Sequence, residues 1–114
     1  QVNNFVGQGG GAAAQRYLME QGYDILETNW SCKIGEIDLI VRKGKIIVFV
    51  EVKTRKTIDA ARQRIGFAQQ RRIANAAQLW IREHAFEPSY LFRFDAILVG
   101  SNQKLPHIEG AWTT

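Results

Sequence analysis

The sequence predicts an α/β domain with a mixed central sheet flanked by helices, and three observations carry the prediction. Apolar positions recur at three- and four-residue spacing over Ala12–Gln21 and over about Ile58–His84, the spacing of helices with one buried side. Short runs rich in β-branched and aromatic residues lie between and after these segments. One of those runs, Ile46–Val52, is almost continuously apolar, which marks a strand covered on both faces. The resulting order is helix, three strands, helix, then one or two strands.

Each element has its own local warrant. Gly7-Gln8-Gly9-Gly10-Gly11 reads as a flexible start, so residues 1–11 are set apart from a single domain over 12–114. No strand precedes these glycines and no Gly-Lys-Ser/Thr follows, which excludes a phosphate loop. Ala12–Gln21 are good helix formers with Ala14, Tyr17 and Leu18 on one side, and Gly22 stands where a helix ends. Tyr23–Trp30 reads as a strand, and Ser31–Gly35 as its connection to a hairpin that turns at Lys43-Gly44. The second helix has the stripe Ile65, Gln69, Ile73, Ala76, Ala77, Trp80 and Ile81, and Pro88 punctuates its exit. Tyr90–Val99 is the next strand, with a turn at Asn102-Gln103 and a weaker strand over Leu105–Glu109.

At 114 residues the chain suits one domain with a core that needs no metal or disulfide staple. The net charge of +4 favours a polyanionic partner without requiring one. Cys32 is the single cysteine, so no intramolecular disulfide can form and a cytoplasmic location is the natural expectation. The first residues lack an initiator Met and an apolar signal segment, and read as a trimmed start. No run approaches the length that spans a bilayer, so no membrane partner is expected.

Four polar residues on the hairpin stand out: Glu36 and Asp38 in G-E-I-D-L-I, then Glu51 and Lys53 in V-F-V-E-V-K. Strand side chains alternate, so Glu36, Asp38 and Ile40 share a face, as do Ile47, Phe49, Glu51 and Lys53. A turn centred on Lys43-Gly44 sets Glu36 opposite Glu51, and Asp38 opposite Phe49, one diagonal step from Glu51. All four polar groups then share one face, whereas an odd-length turn would separate Asp38 from Glu51. Opposed carboxylates destabilise a sheet, and a divalent cation between them would reverse that. An acid on one strand and acid-X-Lys on the next is the arrangement of a metal-dependent phosphodiesterase. Asp38 and Glu51 would hold Mg2+ or Mn2+, with the Val52 carbonyl a further ligand. Lys53 would orient the attacking water and neutralise charge on the phosphate.

Asp38 followed by Glu51-Val52-Lys53, in an α-β-β-β-α-β order, resembles the PD-(D/E)XK nuclease superfamily. The longer strings Y-L-M-E-Q-G-Y-D-I-L-E-T-N-W, G-E-I-D-L-I, V-F-V-E-V-K-T-R, Q-R-R-I and R-F-D together resemble the YraN family. Those are small bacterial proteins similar to archaeal Holliday-junction resolvases, and the likeness runs from about Ala12 to Val99. It implies a restriction-endonuclease-like αβββαβ core and Mg2+- or Mn2+-dependent cleavage of DNA, branched or structured DNA included, with RNA left open. Asp38, Glu51 and Lys53 would be catalytic and Glu36 an auxiliary acid. Arg55 and Lys56, just after the site, would contact nucleic acid. A homodimer would suit cutting two symmetric strands.

The chain departs from the family pattern in places. Gly11 stands where a first-helix glutamate is usual, so either Glu36 takes over that role or the metal site is weaker. Gln69 replaces a helical lysine; its amide, set in an apolar stripe, would either reach the acids or cap a strand carbonyl. The other functional readings are a catalytically silent nucleic-acid-binding module and a protein-interaction subunit. Asp95 reads as structural through Arg93 or a helix end, His84 and His107 as too isolated to make a metal site, and the arginines 64, 71 and 82 as a solvated helix face.

Overall fold

The computed structural model describes residues 10–54, 66–99 and 105–112. In chain order these form α1 (Gly10–Glu20), β1 (Asp24–Ser31), β2 (Glu36–Lys43) and β3 (Ile46–Thr54). Then follow α2 (Phe67–His84), β4 (Leu91–Val99) and β5 (His107–Trp112). The strands make one five-stranded sheet in the order β1-β2-β3-β4-β5. Neighbours are antiparallel except β3 and β4, which run parallel because the chain crosses back through α2 between them. The expected mixed α/β architecture is therefore present.

Element ends follow local chemistry. α1 closes in a Schellman arrangement: Gly22 (φ +96°) donates to the Met19 carbonyl and Tyr23 to the Leu18 carbonyl. Leu18 and Tyr23 also pack in one cluster, the apolar contact that accompanies such a cap. α1 begins at Gly10, so Gly10 and Gly11 belong to the helix and not to the segment expected before it. α2 is described from Phe67; Ile58–Ile65, expected to be its beginning, lie outside the described residues. β5 reaches Trp112, beyond the predicted end at Glu109.

Two cores lie on the two faces of the sheet. Ala14 and Leu18 of α1 pack with Leu39, Val41, Val48, Val50 and Ile97. Ile73, Ala76, Ala77 and Trp80 of α2 pack with Ile40, Ile47, Phe49 and Trp112 on the other. Alternation along β2 and β3 thus assigns even positions of β2 and odd positions of β3 to the α2 face. Ile37 is an exception, packing with the α2 cluster despite its odd number. Beside it, the Val52 N–H is taken by the Asp38 carboxylate, so the ladder is irregular at this end.

The hairpin register corrects the predicted pairing. Lys43 pairs with Ile46 and Leu39 with Val50, so the turn is Gly44-Lys45 and not Lys43-Gly44. Gly44 has φ +62° at the first turn position, where a type II′ hairpin requires positive φ. Continuing this register by one step sets Asp38, and not Glu36, opposite Glu51. Because the shift is an even number of residues, the paired positions Leu39–Lys43 and Ile46–Val50 keep their predicted faces, and Ile37 alone departs from the alternation among the buried residues of β2.

Candidate functional site

The site forms where the β2 and β3 ends meet the first turns of α2. Asp38 reaches across the hairpin, its Oδ2 accepting the Val52 N–H at 2.8 Å. Glu51 is nearly buried, and its Oε2 accepts the Gln69 amide N–H at 2.8 Å. The same Glu51 oxygen lies 3.5 Å from Lys53 Nζ. Lys53 also donates to the Gln69 Oε1 at 3.4 Å. The Gln69 amide therefore bridges acid and ammonium: of its two predicted roles it takes the one at the acids.

Placing two carboxyl groups together under cover moves both titrations. Burial pushes Asp38 up, against the Val52 N–H, a hydrogen bond with Glu51 and the charge of Lys53. Burial, and then the Asp38 charge, push Glu51 up to about 7, with Lys53 opposing. Burial and the repulsion between the two acids thus both favour keeping a proton on the pair. One lysine does not balance the buried Glu51 and the half-buried Asp38 together.

The other predicted residues divide. Glu36 starts β2 opposite Ser31 and is exposed; its charge adds to the upward push on Asp38. Arg55 and Lys56 lie outside the described residues. Among the described residues no group of three or more His, Cys, Asp or Glu gathers to hold a metal.

Sequence reasoning passed over a close approach beside the pair. The Cys32–Gly35 turn is closed by Cys32 N–H to the Gly35 carbonyl at 2.9 Å. A Cβ built on Gly35 would lie 3.3 Å from the Arg72 carbonyl oxygen and 3.4 Å from the Arg72 Cβ. Glycine thus lets the turn rest against α2 one helical turn beyond Gln69. The signal in the sequence, a glycine before a strand, is shared with ordinary turns.

A second polar cluster occupies the α1 face. Asp95 is fully buried and accepts from Arg93 Nε at 2.8 Å and Arg93 NH2 at 2.9 Å, as the sequence reading expected of a structural acid. It also accepts from His107 Nε2 at 2.7 Å and the Gly110 N–H at 3.0 Å. His107 Nδ1 in turn meets the Tyr17 hydroxyl at 2.9 Å, and Arg93 reaches the Tyr23 hydroxyl at 2.9 Å. His107, which no feature of the sequence pairs with Asp95, joins the cluster here. Its partners come from α1 and β4, and no local spacing announces them.

No helix among the described residues is long and apolar enough to cross a membrane.

Residues 10–99 match the model of the uncharacterised protein family UPF0102. A UPF0102 protein of Nitrobacter winogradskyi is 39% identical over 99 residues, covering 87% of this chain and 84% of the relative. One from Caldicellulosiruptor bescii is 42% identical over 94 residues, covering 81% of this chain and 79% of its own. One from Clostridium botulinum is 38% identical over 117 residues, covering 96% of this chain and 95% of the relative. The chain belongs to the UPF0102 family.

Proposed function

We propose that this UPF0102 member is a metal-dependent endonuclease that hydrolyses phosphodiester bonds in DNA, on a PD-(D/E)XK, restriction-endonuclease-like core. The observation that carries the reading is the Asp38–Glu51 pair: a half-buried and a buried carboxyl come together with Lys53 on the same sheet face, and the single ammonium only partly offsets their mutual repulsion. The donor set fits a hard divalent ion. Mg2+ is commonly held by one or two carboxylates, with water and substrate phosphate completing its shell. Asp38 and Glu51 would hold Mg2+ or Mn2+, and the positive charge would relieve the repulsion that now keeps a proton on the pair. The chemistry such an ion supplies when bound is neutralisation of phosphate charge and a more acidic water.

The chain's own groups do the rest. Asp38 is held in place by the Val52 N–H, so its carboxylate direction is set by the β3 backbone. The Lys53 ammonium, retaining about a fifth of its side-chain exposure (20%), can meet a phosphate oxygen or the attacking water. Gln69 positions both Glu51 and Lys53 through one amide, without adding charge. DNA is the polyanion favoured by the basic chain, with RNA as the comparison substrate, and a homodimer would deliver two cuts.

The test is incubation of supercoiled plasmid and a four-way junction with purified protein and Mg2+ or Mn2+, beside Asp38→Ala. Cleavage that disappears in the variant supports the reading; no cleavage, or equal cleavage by both proteins, overturns it. One observation favours a second reading, a silent nucleic-acid-binding module: α1 has no acidic residue in its first turn. That reading predicts metal-independent, salt-sensitive binding without nicking.

A further inference from the structure

We infer that Lys33 and Arg72 form a second anchoring point for the nucleic-acid backbone, so that the site takes a continuous polynucleotide strand and not an isolated phosphate ester. The inference deepens the nuclease reading and rests on it for the identity of the reacting centre. Both side chains are exposed, and among the described residues neither is paired with an acid. They come from distant parts of the sequence, yet their elements lie side by side: Gly35 sits so near Arg72 that a Cβ added to it would come within 3.3 Å of the Arg72 carbonyl oxygen.

A chain of short contacts links them to the acid pair. Arg72 lies one helical turn beyond Gln69, which is bonded to Glu51 at 2.8 Å. Lys33 sits in the closed Cys32–Gly35 turn, directly before Glu36 and two further strand positions before Asp38. The anchor therefore borders the site. Local charge supports a polyanion. Lys33, Lys53 and Arg72 match Glu36, Asp38 and Glu51 in number, and a divalent ion on the acids would make the sum positive. Cations of this kind bind phosphate without reading bases, so the substrate class is a strand backbone of any sequence.

The experiment measures binding of a labelled DNA duplex across a salt series, with chelator present so that nothing is cut. Lys33→Ala and Arg72→Ala are compared with Arg82→Ala, an exposed arginine in the last turn of α2. Each of the first two should weaken binding about three- to tenfold. Together they should lower the slope of log affinity against log salt by about 1.8, the loss of two phosphate contacts. Arg82→Ala should leave the slope unchanged, and Lys33→Arg should restore it. A second arm follows hydrolysis of bis(p-nitrophenyl) phosphate with Mn2+, a diester too small to span the anchor, whose turnover should be indifferent to Lys33 and Arg72. If Lys33→Ala and Arg72→Ala behave like Arg82→Ala while the unaltered protein cuts DNA, the anchor is overturned and the nuclease reading stands. If nothing is cut but the salt slope responds as stated, the anchor stands and the nuclease reading falls. Absence of any DNA binding at low salt overturns the anchor outright.

Discussion

Two acidic clusters, each with one buried acid at its centre, sit on opposite faces of this sheet, one residue apart in register, and they are built to opposite ends. In the β3–β4 pairing Val50 lies beside Asp95 and Glu51 beside Ala96, so Asp95 faces α1 while Glu51 faces α2. Asp95 is one carboxylate with an arginine fork, a histidine N–H and a backbone N–H aimed at it. Asp38 and Glu51 are two carboxyls sharing one backbone N–H, one amide and one lysine. Burial is common to both, so burial alone does not mark chemistry. The balance of donors against acids separates a structural clasp from a site that still has room for a positive charge.

The largest expected effect breaks the structural side. Asp95→Ala should cost about 3–5 kcal/mol of folding stability in chemical denaturation, because it leaves Arg93 and His107 without their acceptor and frees Gly110 in β5. A loss below about 1 kcal/mol would show that the two clusters do not differ as described. On the other face, Lys53→Ala should lower DNA cleavage by about 10²- to 10³-fold while sparing metal binding followed by calorimetry. An unchanged rate would remove Lys53 from the role given to it.

The next effect is a pH dependence of opposite sign from the usual carboxylate. The Glu51 carboxyl titrates near 7 in the folded protein against an ordinary 4.5. Folding therefore takes up a proton, and stability falls as pH rises from 4.5 to about 7. The full span corresponds to about 3 kcal/mol at most, with the raised Asp38 carboxyl acting in the same direction. Thermal unfolding across that range should show the decline, and Glu51→Gln should flatten it. Mg2+ or Mn2+ should stabilise the unaltered protein more at pH 8 than at pH 5. The smallest effect sharpens the clasp. Tyr17→Phe removes one hydroxyl contact to His107 and should cost about 1 kcal/mol.

What was legible in the sequence was what strand and helix periodicity control. The apolar run of β3, the α2 stripe at Ile73, Ala76, Ala77 and Trp80, and the shared face of Asp38, Glu51 and Lys53 all follow from spacings of two or about 3.6 residues. The opposed pair was misassigned because Lys43-Gly44 and Gly44-Lys45 are equally good turns to local reasoning. Only the positive φ of Gly44 in the assembled hairpin tells them apart. Parity tolerated the error, since a two-residue slip changes partners without changing faces.

By itself, then, the sequence determined the elements, their buried faces and the side of the sheet on which the acids gather, because those depend on neighbours a few residues away. The tertiary structure decided who meets whom. Gln69 reaches Glu51 and Lys53, Gly35 rests on Arg72, and Tyr17 joins His107 and Asp95. Each of these contacts joins elements that are separate along the chain. Their geometry is set by how the two helices pack on the finished sheet, which no local spacing encodes.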